Sequence, residues 1–270
     1  MPLFTGPGSK KLYYTDTHPT CGTPSHLTLL FIHGLGSSSS YYFPIIPRLS
    51  GLGYRCVTLD THGNGSSPYT GQGNSIASIA ADALSLLNTL QVSGDVVVVG
   101  HSMGGIVASH LAASDADGRL KGVVLIGPVH PNPSTAGVFE KRIQTVQEYG
   151  MEAMATTIPA GATGSNCAPL VRAFIRQLLI GQDPEGYVSL CRAIAEAPVP
   201  DYAKIKLPLL LLAGEEDKSA PLEGSKSIYN AYGTVPEKKD LQVLSGVGHW
   251  HVLEAPDEVG KRIARFLDSL

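Results

Sequence analysis

Val96-Val97-Val98-Val99-Gly100-His101-Ser102-Met103-Gly104-Gly105 is a four-valine run that ends in Gly-x-Ser-x-Gly and leads into a helical pattern over Gly104 to Ala113. Consecutive β-branched residues read as a strand buried on both faces. The glycines then allow a turn too tight for side chains on either side of the serine. Such a strand–turn–helix unit strains the serine backbone and presents its hydroxyl at the tip of a sheet. The start of the following helix directs its free N–H groups and positive dipole end at developing negative charge. Gly-x-Ser-x-Gly alone arises by chance, but in this setting it marks Ser102 as a candidate nucleophile. His101 adjoins Ser102, yet the turn constrains it, so a packing or hydrogen-bonding role is expected rather than that of a base.

Outward from this strand, short apolar runs bounded by turn residues recur at Leu27 to Ile32, Arg55 to Leu59, Asp95 to Val99, Gly122 to Ile126, Pro208 to Ala213 and Leu241 to Leu244. Helical patterns fall between them, as at Ile76 to Leu90 and Ser225 to Ala231. Strands alternating with helices predict an α/β, doubly wound, mostly parallel sheet. The alternation breaks between Pro131 and Pro200, where no strand is evident. Val171, Phe174, Ile175, Leu178 and Leu179 keep helical spacing there, and Gly181 is placed to end that helix. Phe139, Ile143, Val146 and Met154 suggest an earlier helix. The expected organisation is therefore a core of residues 1–130 and 201–270 with a helical insertion at 131–200. Phe139, Ile143, Met151, Met154, Phe174 and Leu178 either line an apolar pocket or pack the insertion onto the core.

A serine hydroxyl needs a base, and its reaction leaves an oxyanion that needs two donors. One donor is expected from Met103 N–H, directly after the nucleophile. The other is expected from Leu35 N–H in His33-Gly34-Leu35-Gly36, where the glycines let the backbone approach a substrate. His33 reads as a brace for that loop. Ser245-Gly246-Val247-Gly248-His249-Trp250 follows the last apolar run. His249 follows its Gly-x-Gly turn and is the favoured base, with His251 as the rival two residues on. Leu209 to Asp217 ends a strand with Glu215, Glu216 and Asp217. Asp217 is chosen to orient the histidine, with Pro221 marking a loop before the next helix and the two glutamates expected in solvent.

The 270 residues are 43 % hydrophobic and 16 % charged, which excludes disorder for the bulk of the chain. The net charge of −3, with no basic block, argues against a nucleic-acid partner. No stretch approaches the ~20 apolar residues of a membrane span. The N-terminus lacks the apolar run of a signal peptide, so a cytoplasmic location is expected. Asn64-Gly65-Ser66 matches a glycosylation sequon, but without a secretory signal it reads as a coincidence. Cys21, Cys56, Cys167 and Cys191 show no C-x-x-C spacing and no histidine cluster, so reduced thiols are expected and no metal site.

HGLG at 33–36, DTHGNGSS at 60–67, GHSMGG at 100–105, GEEDKSAP at 214–221 and GHWHVLEAPDEV at 248–259 resemble the α/β-hydrolase superfamily over nearly the whole chain. The order Ser102, Asp217, His249 is that family's chain order. The resemblance implies that His249 rather than His251 is the base, that the Asp60 loop is structural, that residues near 130–205 form a cap over the site, and that no cofactor is needed. Within the superfamily the chain is most similar to small esterases, lactonases and enol-lactone hydrolases. The aspartate-nucleophile branches are removed by Ser102, and Met103 departs from the elbow of proline-iminopeptidase relatives. The expected activity is hydrolysis of a small-molecule carboxylic ester or lactone through an acyl-enzyme. C–C or amide hydrolysis on the same residues, a slow-turnover ligand receptor, or an inactive binding module remain as alternatives. The sequence says nothing about oligomeric state.

Overall fold

The computed structural model describes residues 2–20, 25–92 and 94–270. In chain order the elements are β1 (Leu3–Thr5), β2 (Lys11–Thr17), β3 (Thr28–Ile32), α1 (Ile46–Gly51), β4 (Arg55–Leu59), α2 (Ile76–Thr89), β5 (Val96–His101), α3 (Met103–Ala113), β6 (Leu120–Ile126), α4 (Pro133–Gly161), α5 (Pro169–Ile180), α6 (Pro184–Ala195), β7 (Leu209–Gly214), α7 (Leu222–Ala231), β8 (Lys239–Leu244), α8 (His251–Glu254) and α9 (Pro256–Leu267). Among the described residues the strands form one eight-stranded sheet in the order β1-β2-β4-β3-β5-β6-β7-β8. Strands β3 to β8 pair in parallel, and the β1–β2 and β2–β4 pairs are antiparallel.

All six expected apolar runs became strands, with ends within about two residues of those read from the sequence. Their continuity follows from position: every residue of β3, β5 and β7 is buried, because these central strands are covered on both faces. The crossover from β3 to β4 runs one way along the sheet, and those from β4 to β5 and β5 to β6 run the other. Right-handed crossovers therefore place α1 on one face and α2 and α3 on the opposite one. Accordingly α1 packs with α9, and α2 with α3. The two windings part between β3 and β5. The crevice at the carboxyl ends of those strands is where open α/β sheets bind ligands.

The β1–β2 hairpin and helices α1, α6, α8 and α9 lay outside the strands and helices read from the sequence. The β1–β2 hairpin is half-exposed at the sheet edge and has no continuous apolar run to announce it. Helix α9 buries Val259, Ile263 and Leu267 at i, i+4 and i+8 and carries charge on its other face. Between β6 and β7 the chain makes α4, α5 and α6, and no strand occurs among these residues. Helix α4 kinks at Gly150 (φ 69°, ψ −172°), a backbone conformation that glycine adopts readily. The kink lets Phe139 and Val146 before it, and Met151 and Met154 after it, all be buried. Helix α5 ends at Gly181 as expected, although with right-handed rather than left-handed backbone.

Cys56, Cys167 and Cys191 are free and buried, and Cys21 lies outside the described residues. Asn64 is also buried, so the sequon is closed to a glycan in the folded protein. No helix among the described residues is long and apolar enough to cross a membrane.

Candidate active site

Ser102 sits between β5 and α3 with φ 54° and ψ −115°, the strained turn that the sequence predicts. Its N–H donates to Ile126 O (3.0 Å) and its carbonyl accepts from Gly105 N–H (3.0 Å). The flanking glycines are required by close approach. A Cβ on Gly100 would overlap the Gly104 carbonyl oxygen, and one on Gly104 would overlap the Ile32 carbonyl oxygen.

The loop after β8 brings His249 back to this turn. Ser102 Oγ–H donates to His249 Nε2 (2.9 Å), and His249 Nδ1–H donates to Asp217 Oδ2 (2.8 Å). The carboxylate can only accept, which sets that tautomer. Asp217 is itself pinned, since its Oδ1 accepts from Ser219 and Ala220 N–H (both 2.8 Å). Burial pushes its carboxyl pKa up. The charge and hydrogen bond of His249, with help from His251 and Ala220 N–H, outweigh that and hold it below its ordinary value.

The competing histidines have structural places. His101 Nε2–H and His251 Nδ1–H both donate to the backbone carbonyl of His249 (2.9 and 2.8 Å). His249 N–H in turn donates to Ala162 O (2.8 Å), so three hydrogen bonds hold the backbone of His249. Tyr41 stacks on the His101 ring at 4.2 Å. Burial pushes the His101 pKa well below its ordinary value, and His249 and His251 add to this. Burial likewise lowers His251 to about 4. Both rings are neutral donors at ordinary pH, which is the form this scaffold requires. His33 donates from Nδ1 to Gly34 O (2.8 Å) and accepts Thr61 N–H at Nε2 (3.0 Å), bracing the loop as expected. Asp60 spans its own loop by accepting from Ser39 and Ser66 N–H (2.6 and 2.8 Å).

Leu35 lines the same cavity as Ser102, and a Cβ on Gly34 would come within 2.8 Å of Ser102 Cβ, so this backbone closely adjoins Ser102. Met103 is the first residue of α3, where an N–H has no acceptor within its own helix. The cavity holds about 30 Å³ and is lined by Leu35, Ser102, His249 and Trp250 with Val129, Phe139, Arg142, Ile158, Ala162 and Ser219. The last six also wall an outer groove of about 550 Å³.

The surroundings fill in what the sequence left open and correct one expectation, that Glu216 faces solvent. Of the six apolar residues read as either lining a pocket or packing the insertion onto the core, Phe139 alone lines this cavity. Met151 and Met154 pack into the core, Ile143 and Leu178 lie against it, and Phe174 is 40 % exposed. Glu215 is exposed, but Glu216 is half-buried and accepts from Ser165 N–H and Oγ–H (2.8 and 2.6 Å). Glu254 had no role in the sequence reading. It accepts Gly164, Gly248 and Trp250 N–H (2.7, 3.0 and 2.9 Å), tying the end of α4 to the His249 loop. Among the described residues no group of three or more His, Cys, Asp or Glu is placed to hold a metal ion.

An open parallel sheet whose strand–helix serine meets an imidazole and a carboxylate delivered by later strands defines an α/β protein of hydrolase type. The profile of the alpha/beta hydrolase family matches residues 29–262, and the chain belongs to that family. Among curated proteins it is similar to a non-heme haloperoxidase of Rhodococcus erythropolis, 26 % identical over 293 residues and spanning all of both chains. It is also similar to 3-oxoadipate enol-lactonase 2 of Acinetobacter baylyi, 28 % identical over 74 % of this chain and 75 % of that one. Among solved structures the enol-lactonase from Burkholderia xenovorans LB400 superposes with a TM-score of 0.87 at 26 % identity, covering 99 % of this chain and 100 % of the other.

Proposed function

We propose that this chain is a serine hydrolase that cleaves a small-molecule carboxylic ester or lactone through an acyl-enzyme. What supports it is the unbroken hydrogen-bonded line from Ser102 Oγ through His249 to Asp217. Ser102 Oγ attacks the carbonyl carbon while His249 Nε2 takes its proton, and Asp217 stabilises the imidazolium that forms. Leu35 and Met103 N–H hold the oxyanion. The C–O bond to the leaving group breaks, and His249 returns the proton to the departing alkoxide. Water then attacks the acyl-enzyme with His249 again as base, releasing the acid and restoring Ser102.

In this proposal residues 1–130 and 201–270 are the catalytic core and 131–200 the cap that shapes the substrate space. Phe139, Arg142, Ile158 and Ala162 are the cap residues that reach the cavity. A cytoplasmic site of action goes with the proposal and fits the three free buried thiols. The named activities of the lactonase relatives are the kind of reaction proposed here.

The test is a matched panel of ester, lactone, amide and β-diketone substrates with wild type and Ser102→Ala. Ester or lactone turnover should dominate, and the variant should lose about three to six orders of magnitude in kcat with little change in binding. Wild-type turnover by the variant would remove Ser102 from its role. Turnover confined to the amide or the diketone would reassign the reaction.

A further inference from the structure

Helix α4 places Phe139 and Arg142 three residues apart on one face, and both line the small cavity beside Ser102. Arg142 Cζ lies 5.2 Å from the centre of the Phe139 ring. Among the described residues Arg142 has no carboxylate partner, although it is half-buried. A cation withdrawn from water without a counter-charge is costly unless a ligand supplies one. The fully buried Tyr187 hydroxyl lies within the guanidinium's hydrogen-bonding reach but carries no charge to balance it. Trp250 Nε1, whose ring lines the same cavity, is a buried donor with no hydrogen-bond partner. The cavity lining contains no acidic side chain. In the outer groove Lys218 adds a second positive charge, and the one acid, Glu223, is paired with Lys226.

We infer that the substrate carries a carboxylate besides the bond that is cleaved, and that Arg142 binds it. Arg142 acts as a specificity residue that sets which end of the substrate faces Ser102. The inference rests on the proposed ester or lactone hydrolysis. A planar guanidinium matches a carboxylate in two parallel hydrogen bonds. The Phe139 ring and the Tyr187 hydroxyl limit where the guanidinium can go, so the carboxylate is held at a set distance from the nucleophile. A substrate bridging both points is a half-ester or lactone acid, neutral at the reacting end and anionic at the other.

The experiment compares monomethyl and dimethyl esters of glutaric and adipic acids, and the binding of free glutarate and adipate by calorimetry, in wild type, Arg142→Gln, Arg142→Lys and Ser102→Ala. Wild type should favour the monoesters in kcat/KM. Arg142→Gln should lower the ratio of monoester to diester kcat/KM by about ten- to hundredfold, mainly through KM, and Arg142→Lys should restore part of it. The dicarboxylates should bind wild type and Ser102→Ala alike and bind Arg142→Gln more weakly by a similar factor. A ratio unchanged in a folded Arg142→Gln protein, or dicarboxylate binding indifferent to residue 142, would overturn the inference. If the proposed chemistry were wrong instead, Ser102→Ala would leave ester turnover intact while the calorimetry still reported on Arg142.

Discussion

The Ser102 turn and the helices α4 to α6 meet at one cavity but are held there by different means. At the turn, backbone fits against backbone: Gly100 against Gly104, and Gly104 against the carbonyl of Ile32. The helices reach the site largely through side chains, with Phe139, Arg142 and Ile158 lining the cavity. They are tied down by carboxylates of the core, Glu216 on Ser165 and Glu254 on Gly164, while at the loop after α4 backbone also meets backbone, Ala162 O with His249 N–H and Gly164 against Gly246. The difference teaches that the geometry of the Ser102 turn is over-determined by close packing. The surface a substrate meets depends on a few side chains that can be exchanged without disturbing the sheet.

The same substitution in both regions should separate them. Gly104→Ala puts a methyl group into the Ile32 carbonyl and must move the turn, so a loss of about 3 kcal/mol in a denaturant titration is expected, with activity lost as well. A stable, active Gly104→Ala protein would break the contrast.

The scaffold behind His249 makes an intermediate prediction. His251 has an ordinary value of 6.5, which burial lowers to about 4 in the folded chain. Between those values the unfolded chain holds a proton that the folded chain refuses. Stability therefore falls as pH drops from 6.5 toward 4, and this group has no effect above that window. The full loss is about 3 kcal/mol. In His251→Asn the amide N–H can replace the donor to the His249 carbonyl without taking up a proton. Its melting temperature should then fall less on acidification, and equal slopes for both proteins would contradict the role assigned to His251.

The smallest effect belongs to the helices. A Cβ on Gly137 in α4 meets nothing within 4 Å, so Gly137→Ala should stabilise the protein by about 0.5–1 kcal/mol through helix propensity and leave the Ser102 turn untouched. Destabilisation there would show a packing constraint in α4 that the contrast does not allow.

Legibility in the sequence followed the same division. Five of the six parallel strands were readable because burial on both faces demands continuous apolar runs, whereas β8, at the sheet edge, has only Leu244 buried and was read from its short run at Leu241 to Leu244. Ser102 and His249 were readable because tight turns demand glycine at fixed offsets from them, and Asp217 because it follows a buried strand and precedes Pro221; the structure places all three within hydrogen-bond reach. The β1–β2 edge hairpin was missed because it is half-exposed and alternates weakly. Arg142, Ala162, Trp250 and Glu254 were missed because their significance lies in contacts between segments far apart in the chain. Arg142 left one local trace, three residues after Phe139 in an otherwise amphipathic stretch. For Glu254 the only trace was its place five residues after His249, which composition alone does not explain.

The central claim is that the hydroxyl of Ser102 is made nucleophilic by His249. Labelling the folded protein with a fluorophosphonate and locating the adduct by peptide mass spectrometry tests it most directly. A single adduct on the peptide bearing Ser102, absent from His249→Ala, is the expected result. An adduct on another residue, or unlabelled protein that still turns over an ester, would contradict it.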